Sequence, residues 1–534
     1  MKESSKKQNF LHGAALLAMA TAIVKIIGAF YKIPLNVIIE KQGFGYFNTA
    51  YNIYAVLLMI CTAGLPIAMS RLISQANAVG NYNQVRRVYT TSRGIFLGLG
   101  AVSSALMMLF AHQLAGFQKQ PDAWAAIFCL GPCALLMCIM STIRGFFQGQ
   151  GNMRPTSNSQ ILEAVFKLFI GLALAYFIKK STGSVALAAA GAILGVTASC
   201  LVSCLYLYRQ LRPAYREMPT GGGEAKSFGA TAKELLAIAV PITIGSAGLQ
   251  LLTVVETNLY MGQLLTAGGM SQAAADETKG IYDMCFTVFN MPCAFMVPIT
   301  VSVLPAITAH LTTKRYAEAK ATEESAARIT GLISLPCAVG LSILATPVIG
   351  LLGGYTGNDL RLAGTILAIL GANIFFYAVI QYTNVILQSH GYAHIPVINM
   401  LICGGVKLAV VYVLVGNPRI GIVGAPVGML LCYLCIGVMN LIAIGKVVPQ
   451  KTRVLSNLLR PLLPAALMGG AVFGSYRLLI GVLGAGTSRV ILCGIPVGVG
   501  VITYLIGIVI FKAISREDCL LLPKGEKIAK ILHL

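Results

Sequence analysis

Gln148-Gly149-Gln150-Gly151-Asn152-Met153-Arg154-Pro155, followed by Lys167-Leu168, is answered by Gln388-Ser389-His390-Gly391, Pro396 and Lys407-Leu408 about 240 residues later. Each lysine lies inside an apolar segment long enough to cross a membrane. Further matches keep the same order: Leu65-Pro66 with Leu304-Pro305, and Gly191-Ala192-x-x-Gly195 with Gly424-Ala425-x-x-Gly428. The chain therefore reads as two copies of one six-helix unit. Because six is even, both copies insert with the same orientation, as in transporters built from parallel repeats. A lysine duplicated in each half points to a two-lobed transporter for something negatively charged.

Composition agrees. Hydrophobic residues make up 57% and charged residues 11% of the 534, and mean hydropathy is +0.78. Soluble chains carry about a quarter charged residues, so the fold class is an all-α polytopic membrane protein. Apolar segments of 20 or more residues recur along the chain, each enough for a ~30 Å hydrocarbon core. About fourteen spans are expected. The organisation is an N-terminal lobe over 1–210, a cytoplasmic linker over 211–234 containing Gly221-Gly222-Gly223, a C-terminal lobe over 235–446, and two additional spans with a basic tail over 447–534.

The net charge of +22 does not mark a nucleic-acid binder. The basic residues concentrate in alternate loops, from Lys2, Lys6 and Lys7 at the start to Lys512 through Lys530 at the end. That is the positive-inside bias, with both termini cytoplasmic, and it adds an unspecific attraction to anionic membrane lipids. The first span is too long for a signal peptide and is expected to be retained. The 14 cysteines lie almost entirely in spans and read as small apolar residues at helix contacts. No phosphate loop, metal-ligand spacing or catalytic constellation is present, so no enzyme, cofactor or metal is expected. His310, His390 and His394 are expected at cytoplasmic helix ends, as surface residues or as pH-sensitive or headgroup contacts.

Charges inside the spans carry the functional reading. A lysine or acid at the bilayer centre costs about 2.5 to 3.5 kcal/mol on insertion scales. The charges in question are Lys25 in span 1, Glu163 and Lys167 in span 5, Glu256 in span 7, Asp283 early in span 8, and Lys407 in span 11. Lys25 and Lys32 are two helical turns apart and share a face. Glu163 and Lys167 have the spacing and order of an intrahelical ion pair, so Lys167 is read either as self-neutralised or as a ligand contact. Lys407 has no acid at i±3 or i±4 and is read as contacting an anionic ligand or water, as paired with a partner such as Glu256, or as snorkelling. Pro66 and Pro305 interrupt spans 2 and 8 and are expected to kink them. With Gly64 they form either a hinge for alternating access or a static shape for packing.

The run from Lys25 through Gly28, Tyr31, Lys32 and Pro34, then Gly43-Phe44-Gly45-Tyr46, Ala50-Tyr51-Asn52-Ile53-Tyr54 and Thr62 to Leu72, resembles the stage V sporulation protein B branch of the polysaccharide-transport proteins. Gly280-Ile281-Tyr282 through Val303-Leu304-Pro305-Ala306-Ile307 looks like the eighth helix of the same family. That branch is similar to the lipid II flippases, within the multidrug/oligosaccharidyl-lipid/polysaccharide exporter superfamily. The resemblance implies a two-lobed flippase whose two added helices form a groove for a polyprenyl tail. It carries the first-helix basic positions onto Lys25 and Lys32, and the helix-7 acid onto Glu256. The arginines of the flippases' second and eighth helices meet Leu58, Met59 and Phe286 here.

The expected activity is movement of an anionic, polyprenyl-diphosphate-linked oligosaccharide across a bacterial cytoplasmic membrane. Lys25, Lys32, Lys167 and Lys407 would contact it; Glu163, Glu256 and Asp283 would serve as charge partners or ion-coupling groups. Na⁺, H⁺ or the membrane potential would drive it, and cell-wall synthesis machinery is an expected partner. The alternative on the same scaffold is a cation-coupled multidrug exporter, which would favour acids over lysines in its cavity.

Overall fold

The computed structural model describes residues 2–62, 64–219, 221–449, 452–483, 488–511 and 513. Every regular element among them is helical. Ten of the helices are long and apolar enough to span a membrane; the count of fourteen remains an expectation from sequence. The basic tail to Lys530 and the side chains of Lys2, Lys6, Lys7, Lys25 and Pro305 lie outside the described residues.

The chain forms two compact units, one of residues 1–265 and 269–283, the other of 266–268 and 284–534. The first begins with α1 (Lys2–Thr62), α2 (Leu65–Ala78), α3 (Tyr82–Leu109) and α4 (Ala111–Phe117). A 3₁₀ turn (Pro121–Ala123) leads into α5 (Trp124–Gly149), α6 (Arg154–Thr182), α7 (Val185–Arg216) and α8 (Phe228–Thr266). α9 (Gln272–Cys293) runs from the first unit into the second. There follow α10 (Val297–Thr312), α11 (Tyr316–Ile343), α12 (Ala345–Gly353), α13 (Gly357–Ser389) and α14 (His394–Val415). The chain continues through α15 (Gly424–Val447), α16 (Val454–Leu459), α17 (Leu462–Leu483) and α18 (Arg489–Ile510).

Local signals account for the helix ends. The Asn81 side chain caps α3 by accepting from Gln84 N at 3.0 Å, and Ser184 caps α7. Pro155 sits in the first turn of α6, where the missing N–H costs nothing, and Gly183 closes that helix in the left-handed region. α1 holds two legs joined at Glu40, whose φ of 58° breaks the helix. The Glu40 carboxylate is paired with Lys179 at 2.8 Å.

The expected kink at Pro66 takes a different form. α1 ends at Thr62, Gly64 caps the next helix, and Pro66 lies in the first turn of α2. The helix is interrupted ahead of the proline because a proline N-terminal turn is sterically easy, whereas one in mid-helix is not. Pro305 lies within α10, and the helix break near it is at 294–296.

α8 and the start of α9 pack with the first unit, so the compact units divide later in the chain than the 210/235 boundary drawn from the repeat. Asn52 of α1 approaches Thr257, and Gln118 donates to Val254 O. α9 meets α1 backbone to backbone: a Cβ on Gly280 would run into Lys41 O, and one on Gly45 would lie 3.1 Å from Asp276 O. Gly280→Ala is therefore expected to destabilise the protein by about 1–3 kcal/mol, read as a lower thermal midpoint in detergent.

The linker is not slack. Gly221, Gly222 and Gly223 have φ of 114°, 90° and 130°, which only glycine adopts freely. The segment they form is pinned to the α2–α3 turn. Tyr82 N donates to Gly221 O at 3.1 Å, Asn83 Nδ2 to Gly223 O at 3.0 Å, Asn81 Nδ2 to Glu224 O at 3.1 Å, and Lys226 N to Gln84 Oε1 at 2.8 Å.

In the second unit, α18 is anchored by the Tyr504 hydroxyl donating to Leu332 O at 2.6 Å. An apolar cavity of about 460 Å³ opens among α11, α12, α17 and α18, lined by Leu341, Leu344, Met468, Val472, Val501 and Tyr504 among others.

Candidate functional site

The first unit concentrates the buried charges, starting at Tyr31. It is fully buried, and its hydroxyl reaches Ala192 O of α7 at 3.4 Å. Phe47 packs against both Tyr31 and Tyr51, with centroid distances of 5.9 and 4.9 Å. The two tyrosine rings present their faces to one group, the ammonium of Lys167, which lies 5.1 Å from the Tyr31 centroid and 5.2 Å from that of Tyr51. A cation over aromatic faces is held by the ring quadrupoles.

Glu163 does not close an intrahelical pair with Lys167. It accepts from Arg144 Nη2 at 3.1 Å, and Arg144 Nε donates to Ser159 Oγ at 3.0 Å. The planar guanidinium of α5 can engage both groups of α6 at once, which an ammonium one turn away on the same helix cannot do. Glu163 thus makes no direct ion pair with Lys167, although its charge still acts on the Lys167 ammonium. Arg144, just past the expected end of span 4, was missed from sequence.

A second basic cluster sits where α1 crosses α9. Lys32 donates to Asn48 Oδ1 at 3.1 Å and lies over the Phe44 ring at 5.9 Å. Asn48 is fixed by donating to Phe44 O at 2.9 Å. Lys279, with no exposed surface, donates to Gly45 O at 3.2 Å and pairs with Asp283 at 2.5 Å. Asp283 is thus the charge partner of a lysine that the sequence reading passed over. Lys32 lies within electrostatic range of Lys167, Asp283 and Lys279, so the structure brings Lys32, Lys167 and Asp283 into one neighbourhood.

The remaining positions divide between the two units. Glu256 is buried on α8 of the first unit, and Lys407 is half-buried on α14 of the second. Lys25 belongs to α1 by its backbone alone. Gly64 stands at the α1–α2 break. His390, expected as a surface residue or as a pH-sensitive or headgroup contact, turns a nearly buried side chain to the fully buried Glu323 at 2.9 Å, while His310 meets Glu318 at 3.1 Å. Among the described residues no group of three or more side chains is arranged to hold a metal ion.

The family model for polysaccharide biosynthesis proteins matches residues 10–311. The chain belongs to that family. It is 23% identical over 459 residues to stage V sporulation protein B of Bacillus subtilis (strain 168), covering 84% of this chain and 86% of that one. It is 24% identical over 414 residues to the lipid II flippase MurJ of the same organism, covering 74% and 76%. The solved structure of a lipid II flippase MurJ in an inward closed conformation superposes with a TM-score of 0.64 at 14% identity, covering 93% of this chain and 98% of that chain. The fold of this family member is therefore one it shares with that flippase and, at the same TM-score of 0.64, with a multidrug resistance MATE family transporter in an inward-facing conformation.

Proposed function

We propose that the protein moves a polyprenyl-diphosphate-linked saccharide from the inner to the outer leaflet of a bacterial cytoplasmic membrane by alternating access. The observation that carries this reading is Lys167, held between two tyrosine rings while the nearest acid on its own helix is committed to Arg144. A cation balanced by ring quadrupoles keeps most of its attraction for an incoming anion, and a diphosphate in a dry cavity forms strong charge-assisted hydrogen bonds. Lys32 assists from the neighbouring cluster, and Lys25 and Lys407 are the further proposed contacts. The apolar cavity beside α17 and α18 supports a lipid tail as part of the cargo. An inside-negative potential would return the empty basic site inward, at about 2.3 kcal/mol per charge per 100 mV.

The test is rescue of a bacterium depleted of its lipid II flippase, with membrane expression confirmed. Rescue by the native chain but not by Lys167→Ala supports both cargo and site. Rescue that survives Lys25→Ala, Lys32→Ala, Lys167→Ala and Lys407→Ala together keeps the cargo and removes the site. No rescue from a well-inserted native chain moves the reading to another polysaccharide lipid or to drug export.

A further inference from the structure

One hydroxyl in the first unit stands between two carboxylates. Tyr46 Oη lies 3.3 Å from Asp122 Oδ2 and 3.0 Å from Asp276 Oδ2. A hydroxyl carries one proton and donates to one of them at a time. The two acids differ in setting. Asp122 is exposed on the 3₁₀ turn, in a loop that the charge distribution puts outside, whereas Asp276 is 1% exposed.

The donors around Asp276 are neutral. Gln120 Nε2 and Gln272 Nε2 donate to its Oδ1 at 3.0 and 2.9 Å, and Gln42 Nε2 donates to Tyr46 Oη at 2.9 Å. The orientation of the Gln120 amide is set by the Thr49 hydroxyl, which donates to its oxygen.

The charged groups facing the position come from three elements, and each cation is already committed. Lys41 of α1 is paired with Glu277 at 2.7 Å, Lys279 of α9 with Asp283, and Asp122 stands on the 3₁₀ turn. Burial disfavours a charged carboxylate supported in this way. It raises the Asp276 carboxyl above the ordinary range, and the hydrogen bonds from Gln120, Tyr46 and Gln272, with the nearby Lys279 charge, offset this only in part. Asp276 precedes the apolar stretch of span 8, which the sequence starts at 281.

We infer that Asp276 is a proton-binding site, filled from solution through Asp122 and the Tyr46 hydroxyl. A proton taken up by Asp122 passes to Tyr46 Oη as the Tyr46 hydroxyl proton passes to Asp276 Oδ2. Asp122 returns to carboxylate, Tyr46 stays neutral, and Asp276 becomes a carboxylic acid. Asp276 is one helical turn from Lys279. Its neutralisation makes the Lys279–Asp283–Lys32 cluster more positive, so proton uptake and anion binding favour each other reciprocally. That coupling, unlike the proton site itself, rests on the anionic cargo proposed above.

The test uses the full chain in nanodiscs, first without cargo. In infrared difference spectra between the native protein and Asp276→Asn, a protonated-carboxyl C=O band that titrates with pH is expected, and Asp276→Glu should restore a band. Native and Asp276→Asn spectra that stay identical through the titration would overturn the site. After a pH jump, Tyr46→Phe and Asp122→Asn should fill the site roughly a hundredfold more slowly; unchanged rates would overturn the path.

Farnesyl diphosphate is the probe for the coupling. Its affinity should rise about tenfold on acidification in the native protein and lose its pH dependence in Asp276→Asn. A pH dependence that survives in Asp276→Asn refutes the coupling. Absence of any diphosphate binding counts against the cargo and leaves the spectroscopic result standing.

Discussion

Lys167→Met is expected to insert and fold like the native chain and to lose cargo binding by about a hundredfold, near 2.7 kcal/mol. No carboxylate depends on Lys167 for its ion pair, since Glu163 is held by Arg144. Methionine can fill the space between the Tyr31 and Tyr51 rings with favourable sulfur–aromatic contact. Removing the ammonium also removes an insertion cost of about 2.5 to 3.5 kcal/mol. The signature is normal abundance in the membrane, an unchanged or raised thermal midpoint, and diphosphate-lipid affinity lost in a direct binding assay. A fall in abundance that matches the fall in binding would mean that Lys167 serves the fold.

Lys279→Met is expected to do the reverse. It withdraws the ammonium 2.5 Å from the largely buried Asp283 carboxylate and the donor to Gly45 O. Breaking a buried pair from one side costs about 3–5 kcal/mol, a large part of the roughly 5–15 kcal/mol that a folded protein has in reserve. Little monodisperse protein should be recovered, with a sharply lowered thermal midpoint. Adding Asp283→Asn should recover much of the stability, because a neutral pair no longer requires compensation. If Lys279→Met were as stable as the native chain, Lys279 would belong with the cargo contacts and Asp283 would answer to another group.

The contrast between these lysines shows what could be read beforehand. Lys167 stands out because nothing else in its apolar segment explains a charge except Glu163. Whether Glu163 turns to Lys167 or elsewhere is decided by α5 packing on α6, which no spacing encodes. Arg144 was hidden by position, one residue beyond an apolar run that ended at 143. Lys279 was hidden by company: Asp276-Glu277-Thr278-Lys279 looks like a solvated loop, yet α9 begins at Gln272 and carries Asp276, Glu277 and Lys279 against α1. Its spacing of four from Asp283 was the available signal. The tyrosines belonged to the stretch that carried the family resemblance, but their convergence on Lys167 needs the turn at Glu40, which brings the two legs of α1 together. The helical class and the membrane setting depend on composition and periodicity alone, and these were legible throughout.

The pinned glycine segment has a mechanical consequence. Between α7 and α8 the chain behaves as a stay with a fixed anchorage on the α2–α3 turn, backed on the α7 side by Arg86 donating to Met218 O at 2.9 Å. A displacement of the start of α8 must either rotate about Gly221 to Gly223 or first release Asn81 and Asn83, so the force that α8 can transmit is limited by a few hydrogen bonds at the water interface. Lengthening this segment beyond Lys226 would give α8 new reach, whereas lengthening it within the glycines would cost the anchorage itself.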